Sequence, residues 1–212
     1  MVLVLTGLTW FALVRVAPGS VHQAQGQGVQ LLLADRHLPI VLEHSYFHML
    51  LPAGEHRLRW ASGVQPLASR RQTLLSDRLS VEYGTHTEML VQPFGASEIQ
   101  LQLVRLLKLP APVAVSWRDG RYTLRNPFPY PLYQVQIRRA PGRGVQKGTF
   151  ELSRSVAAGA TLAVAPRRVP SVYGVLPREG EWLTAILNDV PSPMQFPLTF
   201  QKESATLWVR IQ

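Results

Sequence analysis

The chain of 212 residues carries 22 lysines and arginines against 13 aspartates and glutamates, a formal net charge of +9 at pH 7. It has no cysteine, which excludes disulfide bonds and thiolate-bound metal sites. Its hydrophobic content of 46% excludes a wholly disordered chain, and its length suits one large or two small domains.

The positive charge is spread along the chain in small groups such as Arg57/Arg59, Arg70/Arg71 and Arg167/Arg168. A basic chain attracts nucleic acids, anionic membranes or acidic proteins. No run of five to eight lysines and arginines occurs, as a nucleic-acid-binding tail would have. We therefore predict a solvated basic surface and no nucleic-acid binding.

Residues 1–14 (MVLVLTGLTWFALV) form the first apolar segment. The segment is shorter than the roughly 20 residues of a membrane span. It also lacks the basic region and the small-residue cleavage site of a signal peptide. Three interpretations stay open: a leader remnant, an anchor that associates with a membrane, or a first buried strand.

Beyond this segment, apolar and polar residues alternate with a period of two, which is typical of β-strands. The apolar members of these runs are Leu58 and Trp60; Leu79, Val81 and Tyr83; Ile99, Leu101 and Leu103; Tyr133, Val135 and Ile137; Phe196, Leu198 and Phe200; and Leu207, Val209 and Ile211. Turn sequences such as Asp119-Gly120 separate them. Residues 181–187 (EWLTAIL) are apolar on both faces and indicate a central strand or one short helix. The pattern predicts an all-β chain of β-sandwich architecture.

A proline-containing break at Leu109-Pro110-Ala111-Pro112 is the best candidate for a domain boundary. It predicts an N-terminal β-sandwich domain at 1–107 and a C-terminal one at 113–212. A short linker would join the two.

The strand before this break ends in a lysine. Ile99, Leu101 and Leu103 share one face of it, and both an exposed edge strand and a buried strand produce such alternation. Lys108, at the root of the linker, is a candidate for binding a carboxylate through charge-assisted hydrogen bonds. Arg15, which interrupts an apolar run, is a second candidate because a cation in that setting either reaches the surface or meets an anion.

The sequence predicts no catalysis, no metal site and no cofactor. His44 and His48 would share a face with Tyr46 on a strand, but no carboxylate stands in a metal-ligand pattern with them. No serine lies in a Gly-x-Ser-x-Gly motif, and Gly26-Gln27-Gly28 lacks the strand–helix context of a phosphate-binding loop.

Several segments, in order, resemble the periplasmic chaperones of the chaperone–usher pilus pathway. Residues 99–110 (IQLQLVRLLKLP) resemble the last strand of that family's first domain, which ends in a lysine before the linker. Residues 120–130 (GRYTLRNPFPY) are similar to the opening strand of its second domain, with Phe128 in place of threonine. Residues 158–162 and 182–189 follow in the matching order, and residues 15–19 are similar to the family's first strand.

This resemblance implies two immunoglobulin-like β-sandwich domains and a non-catalytic role in the periplasm or cell envelope. The chain would bind pilus or surface-fibre subunits by β-strand addition and would engage an outer-membrane usher. Ile99, Leu101 and Leu103 would supply side chains to the client. Lys108 and Arg15 would bind the client's C-terminal carboxylate.

A second resemblance favours a structural role. Residues 33–39 (LADRHLP), 45–47 (SYF) and 51–58 (LPAGEHRL) are similar to small β-modules of bacterial envelope proteins. This implies a β-sandwich subunit of a membrane-anchored envelope complex, held by its apolar N-terminus.

Overall fold

Strands are the regular elements of the described part of the chain. A computed structural model describes residues 25–61, 63–67, 76–83, 86–93, 97–140, 148–170, 179–195 and 200–211. Its strands are β1 Gln25–Asp35, β2 Ile40–Leu51, β3 His56–Ala61, β4 Gln65–Leu67, β5 Ser76–Tyr83, β6 His86–Pro93, β7 Ser97–Lys108, β8 Val115–Arg118, β9 Arg121–Arg125, β10 Leu132–Arg139, β11 Gly148–Val156, β12 Thr161–Val164, β13 Arg167–Val169, β14 Glu181–Leu187, β15 Met194–Gln195 and β16 Phe200–Arg210. The predicted all-β class is confirmed. In the residues described, no helix is long and apolar enough to cross a membrane.

Alternation in the sequence becomes alternation of burial. Along β2, every second side chain from Val41 to Leu51 is buried and the others point outward. β9 repeats the pattern, with Tyr122 and Leu124 inward. A strand places successive side chains on opposite faces, so a strand with the core on one face has apolar residues at every second position. Residues 181–187, for which a strand or a helix was open, form strand β14 between β10 and β16.

The strands assemble into three sheets. The largest has the order β13-β11-β10-β14-β16-β1-β2-β7-β4, the second is β15-β3-β6-β5 and the third is β12-β9-β8. Neighbouring strands such as β10 and β11, and β14 and β16, pair antiparallel. In the residues described, the strand β7 thus lies next to last in the largest sheet and is followed by the three-residue β4.

Two compact units divide the described residues. Unit 1 contains those within 1–28, 46–103 and 192–202, and unit 2 those within 29–45, 104–191 and 203–212. This division differs from the contiguous ranges 1–107 and 113–212 expected from the sequence. The reason is that β1, β2, β7 and β16 have 11 or 12 residues each, twice the usual length, and contribute residues to both units.

Unit 1 is a β-sandwich around its own core. β3 and β6 contribute Leu58, Trp60, Met89 and Val91 from the four-stranded sheet. The largest sheet contributes the second group, Phe47, Met49 and Leu51 from β2 and Ile99, Leu101 and Leu103 from β7.

Unit 2 is also a β-sandwich. The three-stranded sheet contributes Val115, Tyr122 and Leu124 to its core, and the larger sheet contributes residues from β1, β2, β10, β14 and β16. The expected linker residue Leu109 belongs here. It packs against this core, and its amide donates to the carbonyl of Pro39 over 2.9 Å.

The turn predicted at Asp119-Gly120 joins β8 to β9. Both residues have positive φ, 49° and 74°. This is the arrangement of a two-residue hairpin turn that favours Asp-Gly. Arg118 and Arg121 consequently lie directly opposite each other on the two strands.

Candidate functional site

The structure separates the residues that the sequence grouped as a partner-binding site. Ile99, Leu101 and Leu103 are 1–4% exposed and lie in the core of unit 1. Of the two open alternatives for this face, the buried strand is therefore the one observed, and these side chains are not offered to a partner. Lys108 is exposed at the end of β7, on the opposite face of that strand. Arg15 lies outside the described residues.

The outward face of β1, β2 and β7 within unit 2 carries exposed apolar side chains. Leu106 is 66% exposed, while Leu33, Ile40 and Leu42 are 37–38% exposed. These four residues, called here the outer apolar face, sit on three neighbouring strands of the sheet. Scattered surface leucines are ordinary, whereas a contiguous apolar group is typical of an interaction surface.

Two contacts fix the alignment of β7 against β2 beneath this face. The guanidinium of Arg105 meets the carboxylate of Glu43, with Nε 2.6 Å from Oε2. Four residues beyond Arg105, just after the end of β7, the amide of Leu109 donates to the carbonyl of Pro39, which lies four residues before Glu43. The two strands therefore run antiparallel, and Leu106 lies beside Leu42.

This alignment also determines which backbone groups of β7 face outward. In an antiparallel ladder, alternate residues direct their N–H and C=O groups to the same neighbour. Because Leu109 bonds toward β2, the backbone groups of Leu106 and Lys108 point to the other side. On that side β7 is paired with β4, which has 3 residues against the 12 of β7, so most of this side of β7 meets no other strand in the residues described. The larger part of this side of β7 is therefore an open strand edge in the part of the chain that the structure describes.

A buried polar network holds the inner side of the same strands. Glu43 is fully buried, and its Oε1 accepts hydrogen bonds from Ser45 Oγ at 2.8 Å and Gln30 Nε2 at 3.2 Å. Arg105 pairs with the other carboxylate oxygen and also donates from NH2 to the carbonyl of Pro191 at 2.8 Å. A carboxylate removed from water has to be paired and hydrogen-bonded, and Glu43 is both.

A second charged cluster lies within unit 2. Arg139 Nε donates to Glu181 Oε1 at 2.5 Å, and its NH2 donates to the hydroxyl of Tyr122 at 2.6 Å. Tyr122 also donates to Glu181. The Arg139 guanidinium lies 4.9 Å from the Phe150 ring centroid and 5.9 Å from that of Trp117. Burial, followed by the hydrogen bond to Glu181, raises the pKa of Tyr122, so this phenol stays a hydrogen-bond donor.

The histidines of the described residues do not gather into a metal-binding cluster. His44, Tyr46 and His48 alternate with buried residues along β2, as a strand requires. His48 Nε2 lies 2.5 Å from Glu98 Oε1 in an exposed pair. Among the described residues, no group of three histidines or carboxylates could hold a metal ion.

Sequence reasoning missed the outer apolar face and the Glu43–Arg105 pair. The signal for the face was present in Ile40-Val41-Leu42 and Leu106-Leu107, where apolar residues occupy both faces of a strand. Strands buried on one side have no need for such residues outside. The ion pair joins residues 62 positions apart, and only the pairing of β2 with β7 brings them together.

No family model matches this chain, and no curated protein matches it. Among solved structures, the yeast delta-COP-I mu-homology domain complexed with a Dsl1 WxWxV peptide is similar over 89% of this chain and 96% of its own. The TM-score is 0.41 and 8% of the aligned residues are identical. The fold described above follows from the strands, sheets and cores of this chain.

Proposed function

We propose that this chain is a non-catalytic polypeptide-binding protein, and that an extended segment of its partner adds to β7 beside residues 104–108. The observation that supports the proposal is the open edge of β7, which is flanked by the outer apolar face and ends at Lys108. The partner segment would carry apolar side chains and a carboxylate.

The outer apolar face supplies the hydrophobic part of this recognition. Leu106 is the most exposed of the large apolar side chains described, and it points outward from the strand with the open edge. A partner that covers Leu106 removes apolar surface from water, and this contributes a favourable free energy of about 25 cal/mol per Å² buried. Backbone hydrogen bonds along the edge would supply the rest, as in other cases of strand addition.

Lys108 supplies the ionic part. It is exposed, and no ion pair joins it to an acidic side chain in the part of the chain that the structure describes. An ammonium at the end of a binding edge can bind a carboxylate through short charge-assisted hydrogen bonds. The carboxylate is either a C-terminus or an acidic side chain of the partner.

In its specific form, the proposal is a periplasmic chaperone for pilus or surface-fibre subunits, working with an outer-membrane usher. Its support is the resemblance of residues 99–110 and 120–130 to that family. The side chains that meet the client would be Leu106 and its neighbours, because Ile99, Leu101 and Leu103 fill the core. Arg15, which lies outside the described residues, stays the second candidate that the family resemblance offers for the carboxylate.

The exposed apolar face also favours a second candidate, a structural subunit of a cell-envelope complex. There the outer apolar face would be a fixed interface, and Lys108 would contribute little. The two candidates differ in how binding depends on Lys108.

Affinity purification from the native host tests both candidates. We would compare the wild type with Leu106→Asn, Lys108→Ala and the control Leu67→Asn, whose leucine is 41% exposed on β4. A partner lost with both test variants and kept with the control supports strand addition anchored by Lys108. Loss with Leu106→Asn alone supports the structural subunit. Retention of every partner by Leu106→Asn contradicts both.

A further inference from the structure

The three-stranded sheet of unit 2 carries an arginine face. β8 and β9 pair Ser116 with Thr123 and Arg118 with Arg121. On the other side of β9, Arg125 pairs with Thr161 and Thr123 with Ala163 of β12. Because the inward positions of β9 are Tyr122 and Leu124, its arginines and the residues paired with them share the outer face.

Arg118, Arg121 and Arg125 are all exposed and have no acidic partner among the described residues. Other arginines do have one: Arg57 and Arg59 meet Glu88, Arg105 meets Glu43, Arg139 meets Glu181 and Arg167 meets Glu151. Like charges directly opposite each other on paired strands destabilise a sheet. The Arg118–Arg121 pair therefore costs stability in the free protein, and an anionic partner would remove that cost.

β8 also presents an open edge. It is the terminal strand of the three-stranded sheet in the residues described. The Arg125 amide donates to the Ala114 carbonyl at 2.9 Å. Because bonding to one neighbour alternates along a strand, the backbone groups of Ala114, Ser116 and Arg118 face β9. The backbone groups of Val115 and Trp117 consequently point away from β9 and toward the open edge.

The two faces of this edge differ in chemistry. Arg118 and Ser116 lie on the outer face, while Trp117 points to the other face and is 48% exposed. The Trp117 ring packs on Tyr122 with centroids 4.5 Å apart, so it is held in place. A strand added here would place alternate side chains beside arginine and beside tryptophan.

We infer that β8 binds an extended acidic polypeptide whose acidic and apolar residues alternate. The acidic side chains of the added strand lie one strand spacing, about 5 Å, from Arg118 on β8 and two spacings, about 10 Å, from Arg121 on β9. Apolar side chains cover Trp117. The arginines also disfavour pairing of β8 with a second copy of this basic chain. This edge is separate from the one on β7, and its occupant differs in charge.

Fluorescence anisotropy with the full chain tests the inference. The probe is a labelled peptide of sequence Asp-Val-Asp-Val-Asp-Val-Asp, and the control peptide has the same composition with the four aspartates first. We expect the alternating peptide to bind more tightly. Binding should weaken at least about tenfold in Arg118→Gln/Arg121→Gln, because charge-assisted hydrogen bonds are lost. The matched charge control, Arg154→Gln/Arg210→Gln, should bind as the wild type does.

An N-methylated version of the alternating peptide separates strand addition from simple charge attraction, since it keeps the charges and loses backbone donors. We expect it not to bind. Equal binding of the two peptides, retained binding of the N-methylated peptide, or an equal effect of the two double variants would overturn the inference. Tighter binding of phosphatidylserine vesicles or a single-stranded oligonucleotide than of the peptide would also overturn it.

Discussion

Glu43 shows how one residue shapes this surface. Its carboxylate has no access to water and takes its partners from three strands: Gln30 on β1, Ser45 on β2 and Arg105 on β7. These contacts align the strands whose outward residues form the outer apolar face. A buried ion pair adds little net stability by itself, but the loss of one partner is costly.

Arg105→Met should destabilise the protein by about 3–5 kcal/mol, because it leaves the Glu43 carboxylate buried without a cation. Urea denaturation measures the change in the free energy of unfolding. The control Arg118→Met, at an exposed arginine, should stay within about 0.5 kcal/mol of the wild type. Equal effects of the two substitutions would show that the ion pair is not holding β7.

The raised pKa of Tyr122 predicts that the free energy of unfolding depends on pH in the alkaline range. Its pKa is raised above the ordinary value of 10.0, first by burial. Above that value the unfolded state ionises its phenol while the folded state keeps the proton, so stability present below about pH 10 is lost as pH rises. We expect the free energy of unfolding of the wild type to fall more steeply between about pH 9 and about pH 11 than that of Tyr122→Phe. Parallel profiles would contradict this role for the phenol.

At the scale of the element, β7 shows what the sequence can and cannot predict. The alternation of Ile99, Leu101 and Leu103 identified the strand, and the fold class followed from many such runs. Alternation cannot say whether an apolar face meets the chain's own core or a partner, because both need the same spacing. Leu106 was overlooked because Leu107 beside it is apolar too, and the inward and outward leucines look alike in sequence.

The two faces of β7 should respond differently to truncation of a leucine. Leu103→Ala, at a position 1% exposed, should cost about 2–5 kcal/mol in the free energy of unfolding. Leu106→Ala should change it by no more than about 0.5 kcal/mol, because its side chain is already in water. A large loss of stability with Leu106→Ala would mean that this leucine packs against the protein, which would remove it from the proposed binding edge.

At the scale of the whole molecule, the long strands decide the organisation. β1, β2 and β7 contribute residues to both units, so the core of unit 2 contains Leu32, Ala34 and Val41 from early in the chain. A proline-containing segment such as 109–112 marks a domain boundary in many sequences, but here Leu109 packs on that core. Sequence patterns locate strands well and report poorly on which strands, distant along the chain, share a core.

A fragment of residues 113–212 should therefore not fold alone, since it lacks the β1, β2 and β7 strands of unit 2. We expect little near-ultraviolet circular dichroism and a non-cooperative thermal transition, whereas the full chain should unfold cooperatively. A cooperatively folded fragment would instead support the contiguous C-terminal domain predicted from the sequence.

Site-specific photo-crosslinking in the native host tests the polypeptide-binding proposal most directly. A photoreactive amino acid would replace Leu106 in one variant and the control Leu67 in another, followed by identification of the crosslinked protein. The account predicts a discrete polypeptide partner at position 106, absent at position 67 and lost when Lys108→Ala is combined with the crosslinker. No crosslinked partner at 106, or the same partner at both positions, would contradict it.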